Sequence, residues 1–370
     1  MMKEYESVKA FKELLDKRHI EKIAVQSLNL LSLEHEMLKI NFEGCLFLGC
    51  NMSNDMVAHL VENNYLFPKL KVPYNNYPNT LYTRMSLYND YNHRKPNSYQ
   101  NTLDKVVYDH FIKTGVESDN IHETLARWLH DHSITDAVYD FLENYKERNI
   151  VAIMGGHSLS RESNNFRKVA EISKKLTEKG YLMTSGGGPG AMEATHVGTW
   201  FSGGSKKKMK EAIKHLKKAP FYNHPDWLST AFEVIEKYPT GPYKSLGIPT
   251  WLYGHEPPTP FASHIAKYFA NSVREEGLLA VAKGGVIFAP GSAGTMQEIF
   301  QELAQNHYES FGKASPMVFL DKHYWTKERP IYPVIKKMKK SGALKNLNLG
   351  IYDDIDEVVH HIESNNENIA

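Results

Sequence analysis

The spacing of apolar positions changes near residue 149, and that change divides the chain. "NIVAIMGG" (149–156) has the pattern of a buried strand ending in glycine. In "SNNFRKVAEISKKLTEKG" (163–180), Phe166, Val169, Ile172 and Leu176 recur at helical spacing before Gly180, a natural stop. The unit then repeats. "YLMTSGGG" (181–188), "SLGIPTWLYG" (245–254), "GGVIFAPG" (284–291) and "SPMVFLD" (315–321) read as strands. "FASHIAKYFANSVREEGLLAVA" (261–282) and "TMQEIFQELAQNHY" (295–308) read as helices. Continuous apolar strands alternating with helices predict an α/β fold with a doubly wound parallel sheet, covered on both faces.

Residues 1–145 lack that rhythm and form an accessory α/β domain in this reading, with 146–370 as the sheet domain. "CLFLGC" (45–50) is a strand, "MVAHLVENN" (56–64) a helix, and 73–100 an irregular surface stretch crowded with Tyr, Asn and Pro. A helix is predicted within 120–148. His130 and His132 stand beside Asp131 there, but an i, i+2 spacing points them to different helix faces, so a solvated surface is expected and no metal site.

Composition narrows the function classes. At 370 residues the chain suggests two domains, and a formal net charge of +1 gives no global pull toward nucleic acid or acidic membranes. Its apolar runs fall short of a membrane span. The charged start "MMKEYESVKAFKELLDKRHI" lacks a signal-peptide core, so a cytoplasmic setting is expected, with Cys45 and Cys50 as reduced, buried thiols. Segment 203–242 interrupts the α/β pattern. Its "SKKKMKEAIKHLKK" (205–218) carries seven Lys against one Glu, either a solvated face or a basic rim that draws phosphorylated ligands.

Candidate chemistry gathers where the strands end. "SGGGPGAMEA" (185–194) places Gly186, Gly187, Gly188 and Gly190 between a strand and a helix. It lacks the G-x-G-x-x-G spacing of dinucleotide sites and the lysine of triphosphate loops. A tight turn explains it, as does a helix N-terminus offering free N–H groups to a phosphate. "PGSAGTMQE" (290–298) repeats the arrangement with Gly291, Ser292, Ala293, Gly294 and Thr295. On spacing alone, Thr295-x-x-Glu298 has the form of a capping box. Arg274 in "NSVREEG" and His157–Ser158 in "GGHS" complete the set.

In this order, "GGHSLSRE", "SGGGPGAMEA", "EPPTP" (256–260), "VRE" and "PGSAGTMQE" resemble the Lonely Guy family. Within it they are most similar to the bacterial pyrimidine/purine nucleotide 5′-monophosphate nucleosidases, once labelled lysine decarboxylases. The resemblance covers residues 149–330. It implies a Rossmann-like fold, hydrolysis of a nucleoside monophosphate to free base and ribose 5-phosphate without cofactor or metal, and a homodimer or higher homo-oligomer. It assigns catalysis to Arg274 and Glu298. Under this resemblance the two glycine loops, with His157 and Ser158, hold the phosphate, and Tyr253, His255 and Phe261 in "LYGHEPPTPF" select the base. Arg274 either holds Glu298 ionised or grips phosphate or base. The family's second motif glycine is Ser292 here. A positive φ at that position would cost of order 1 kcal/mol, while the hydroxyl would add a phosphate contact. Two other readings stay open. One is a non-catalytic nucleotide or molybdenum-cofactor-like binding protein; the other is regulation by a polyphosphorylated nucleotide at the lysine-rich insertion.

Overall fold

The structure, a computed structural model, describes residues 2–254 and 256–367. Packing groups the chain into two units. One comprises the chain up to Leu81 with His110–Asp140, the other Tyr82–Asp109 with the chain from Phe141 onward. The chain therefore enters the second unit, leaves it and returns, where the sequence suggests one boundary near residue 145.

The smaller unit holds a parallel sheet of Lys3–Tyr5, Ile23–Gln26, Leu46–Leu48 and Tyr65–Phe67, in that order. His19–Glu21 and Asn41–Glu43 form a second parallel pair. The partners His19↔Asn41, Ala24↔Leu46 and Asn29↔Asn51 share a 22-residue offset, so two turns of chain stack as in a solenoid. Phe11, Val25, Phe42, Cys45 and Phe47 fill the core between them. Both cysteines are free thiols, but only Cys45 is fully buried; Cys50 is partly exposed. His130 departs from expectation. It lies on the apolar stripe Ala126–His130–Ile134–Ala137 of helix Ile121–Leu142, is fully buried, and pairs with Asp131 at 2.9 Å. His132 is exposed.

The larger unit follows the predicted alternation. Its elements are β1 (Ile150–Met154), α1 (Asn164–Glu178), β2 (Leu182–Ser185), α2 (Ala191–Trp200), α3 (Lys206–Leu216), α4 (Trp227–Lys237), β3 (Ser245–Gly247), β4 (His264–Ile265), α5 (Asn271–Val281), β5 (Gly285–Phe288), α6 (Ala293–Tyr308), β6 (Pro316–Leu320), α7 (Ile331–Lys340), β7 (Asn348–Tyr352) and α8 (Ile355–Glu367). The strands are all parallel, in the order β4-β3-β2-β1-β5-β6-β7. Beyond the added edge strand β4, this is the Rossmann-like order, which reverses between β1 and β5. Val151, Ile153, Met183, Ile287, Val318 and Leu320 supply the apolar sheet faces.

Two elements differ from the sequence reading, both near the β4 edge. The strand expected over 245–254 stops at Gly247 because Pro249 has no N–H to give the ladder. The helix expected over 261–282 starts only at Asn271. Its first part is pulled into the sheet, where Ala266 N–H donates to Gly247 O at 2.8 Å and Ile265 exchanges hydrogen bonds with Tyr82. The lysine run is the outer face of an amphipathic helix. Met209, Ala212, Ile213 and Leu216 of α3 join the main core, while Lys206 reaches Glu171 at 2.8 Å.

Three loops converge where the strand order reverses. Gly156, after β1, donates its N–H to Pro290 O at 3.0 Å, and its carbonyl accepts from Ala191 N–H at 3.2 Å. This contact fixes glycine at two positions. Gly190 has φ +69, and a Cβ there would stand 2.3 Å from Gly156 O. A Cβ on Gly291 would stand 2.8 Å from Gly156 N. Gly294, by contrast, has nothing within 4 Å of such an atom. Gly190→Ala is therefore expected to destabilise the larger unit by about 2 kcal/mol or more, and Gly294→Ala to be neutral or stabilising by up to about 1 kcal/mol. Urea unfolding of the two variants measures both; equal losses would contradict the loop-convergence argument.

Candidate active site

The β5–α6 turn is the exposed part of the convergence. Ser292, Ala293 and Gly294 are open to solvent at the first turn of a 16-residue helix, and no side chain caps that end. The leading N–H groups of α6 thus face outward with the positive end of the helix dipole. Tyr324 buttresses the turn, its hydroxyl donating to Gly291 O at 2.6 Å. On the neighbouring β1 loop, Ser158 is exposed and His157 half-exposed. His157 Nδ1 lies 3.4 Å from Glu256 Oε1.

The β2–α2 loop is built differently. Gly186, Gly187, Gly188 and Gly190 are all buried. A Cβ on Gly186 would stand 2.3 Å from Arg274 Nη2, and one on Gly187, at φ +70, 2.8 Å from Pro249 Cδ. Glycine here lets the arginine and the following strand's loop approach the backbone. A hydrogen-bond chain lies underneath. Gly187 N–H donates to Ser185 Oγ at 3.1 Å, Ser185 Oγ meets His196 Nε2 at 2.8 Å, and His196 Nδ1 meets Ser245 Oγ at 2.9 Å. Burial pushes the His196 imidazole down to about 3, so it is neutral at physiological pH.

Arg274 and Glu298 come together beside this loop. Both are over nine-tenths buried. Arg274 Nε donates to Ile248 O at 2.8 Å, and its Nη1 stands 3.9 Å from Glu298 Oε1 and 3.8 Å from Glu275 Oε1. The gap to Glu298 exceeds hydrogen-bond distance. Desolvation dominates the carboxyl, with Arg274 opposing and Glu275 reinforcing, and Glu298 is pushed up to about 7. In this arrangement Arg274 does not hold Glu298 fully ionised, one of the two roles expected for it. A carboxyl poised near neutrality can give or take a proton.

Several sequence-based roles change. The capping box does not form: α6 begins at Ala293, so Glu298 sits in its second turn, away from the cap. Ser292 has φ −105, so serine in place of glycine is not forced into the left-handed region. Phe261 is 1 % exposed and packs edge-on against Trp200, ring centroids 5.8 Å apart. That is core packing, and the ring has no face for a base. Tyr253 is exposed, and His255 lies outside the described residues. Arg161 is structural: its guanidinium donates to both oxygens of Glu193 at 2.8 and 2.5 Å and to the carbonyls of Ala219 and Trp227. Arg167 pairs with Glu171 on α1.

Sequence reading missed Glu256, His196 and Tyr324. Glu256 sits within the quoted "EPPTP" motif, yet nothing in its spacing says that it faces His157. The other two act through tertiary contacts without a local signature. In the smaller unit, Glu4, Asp136 and Asp140 cluster at the surface; such acidic groupings are common without an ion. Among the described residues no helix is long and apolar enough to cross a membrane.

No family model and no curated protein matches the chain. Among solved structures it is similar to the molybdenum cofactor binding protein of the phototrophic bacterium Rippkaea orientalis. The identity is 11 %, over 58 % of this chain and 95 % of that one, with a TM-score of 0.35. That likeness is too distant to bear on ligand or chemistry.

The buried carboxyl has a thermodynamic consequence. With Glu298 raised from 4.5 to about 7, the native chain retains a proton that the unfolded chain releases, so this group's contribution to stability falls as pH rises across that window. Glu298→Gln removes the effect. Its melting temperature is expected to exceed that of the parent by about 2–5 °C at pH 8, with the gap shrinking to under about a third at pH 5. Thermal melts at the two pH values check this; a lower melting temperature at pH 8 would mean that Glu298 is a stabilising residue.

Proposed function

We propose that the chain hydrolyses the N-glycosidic bond of nucleoside 5′-monophosphates, releasing free base and ribose 5-phosphate, as a nucleosidase of the Lonely Guy type. One observation carries the reading. A buried carboxyl poised near neutrality, Glu298, lies beside Arg274 at the strand-order reversal, next to a helix N-terminus with exposed amides. In the proposed reaction the phosphate rests on the N–H groups of residues 291–295, with His157 and Ser158 at its edge. Binding energy from this remote group positions the ribose over Glu298.

The C1′–N bond then breaks as water adds to C1′. Positive charge builds on the ribose as in glycoside hydrolysis, and the Glu298 carboxylate stabilises it while accepting the proton of the attacking water. The departing base takes up a proton, so water is divided between the two products. Arg274, anchored on the Ile248 carbonyl, keeps a guanidinium edge toward both the Gly186 backbone and Glu298. Its charge offsets part of the cost of ionising the carboxyl. The family resemblance also proposes a homo-oligomer, for which Phe300 and Tyr308, both exposed on α6, offer apolar surface.

The test is a panel of nucleoside monophosphates incubated with the purified chain, with released base separated by chromatography. Release from at least one nucleotide is expected. Glu298→Gln should lower kcat by about 10³-fold and Arg274→Ala by about 10²-fold. For the parent, kcat/KM should climb with pH to a plateau above about 7, because the reaction uses the ionised carboxyl. A folded chain that retains a nucleotide intact and cleaves none of the panel would be a binding protein instead.

A further inference from the structure

The aromatic-rich stretch 73–100 reads as plain surface in the sequence, yet in the larger unit its Tyr91 and Tyr99, with Tyr108 beyond it, line a cavity of about 270 Å³. Tyr91, Tyr99, Tyr108, Tyr222 and Trp227 supply its aromatic lining. Gly254 and Pro257, on either side of Glu256 in the chain, also line it. The Tyr222 ring meets His157 edge-on with centroids 5.7 Å apart, so the cavity adjoins the proposed phosphate-binding edge.

Its walls are fixed in place. Tyr88 hydroxyl donates to Pro258 O, and Tyr108 packs so closely on Gly254 that a Cβ there would stand 2.2 Å from the ring. Behind the wall, Tyr99 hydroxyl donates to Asp104 at 3.0 Å. Lys267 donates to the other oxygen of Asp104 at 2.5 Å, and both charged side chains are fully buried. A buried ion pair carries a desolvation cost that an apolar pair would not. Here it anchors the hydroxyl of a cavity-lining tyrosine. Lys105 and His224 also line the cavity, and Lys105 is paired with Asp109 at 2.5 Å.

A mainly aromatic lining and a volume just under the ~300–1,000 Å³ range of ligand pockets suit one planar ring system and not a whole nucleotide. We propose that this cavity is the base subsite and that it selects purines, whose two fused rings offer more stacking surface than a pyrimidine's one. The proposal rests on the nucleosidase reading for the identity of the ligand, while occupancy of the cavity is testable apart from turnover.

The experiment is equilibrium binding of adenine, cytosine and ribose 5-phosphate to the full chain and to Tyr222→Ala, Tyr222→Phe and Tyr108→Leu, with the melting temperature of each recorded. Adenine should bind the parent at least tenfold more tightly than cytosine. Tyr222→Ala and Tyr108→Leu should each weaken adenine about tenfold or more and leave ribose 5-phosphate within twofold; Tyr222→Phe should retain adenine binding. Should one alanine or leucine variant fail to fold, the other carries the comparison. Adenine binding with this pattern but no cleavage of AMP upholds the subsite and sinks the nucleosidase reading. Cleavage of AMP with adenine binding unmoved by either variant does the reverse. Failure of adenine to bind the parent, or equal losses for adenine and ribose 5-phosphate, overturns the proposal.

Discussion

The larger unit depends on a close backbone contact at Gly156, whose two peptide groups bond to the loops that follow β5 and β2. Such proximity excludes side chains, so Gly190 and Gly291 are imposed by space as much as by dihedral angle. The result is a buried backbone junction at the reversal of strand order, from which only the β5–α6 turn, Ser292–Gly294, is exposed. Because the positive end of the α6 helix dipole lies at that turn, the region attracts an anion before any charged side chain is considered.

Electrostatics at the floor run the other way. Arg274 Nη1 stands 3.8 Å from Glu275 and 3.9 Å from Glu298, and each of the three residues is at least nine-tenths buried. Desolvation outweighs the arginine's attraction at Glu298, which leaves the carboxyl near the point where both protonation states are populated. A residue chosen for stability alone would be apolar here or fully hydrogen-bonded. The uncharged Ser185–His196–Ser245 chain under the β2–α2 loop supports the same floor without adding a charge.

Much of the fold was legible because buried parallel strands are continuous apolar runs that local sequence cannot disguise. The glycine loops were legible for a related reason: few other residues allow backbones to approach so closely. What escaped depended on partners distant in sequence. Ile265 joins the sheet through Gly247 and Tyr82, so its segment reads as helix until those strands are in place. Thr295 and Glu298 have capping-box spacing, but the helix begins two residues before Thr295 and the motif falls inside it. The i, i+2 spacing of His130 and His132 argues against a shared metal but says nothing of burial, which for His130 depends on Tyr74, ring centroids 5.6 Å away. Phe261 reads as a base contact from its loop position, whereas Trp200, sixty-one residues earlier, holds it in the core.

The most direct measurement is the position of AMP in a crystal of the Glu298→Gln variant, in which turnover is suppressed. One exposed amide-lined turn and the acid at position 298 make a specific demand on that ligand. The account predicts the phosphate against the amides of residues 291–295, with C1′ of the ribose facing the side chain at position 298. A phosphate bound elsewhere, or a ribose on the far side of the β5–α6 turn from that side chain, would contradict it.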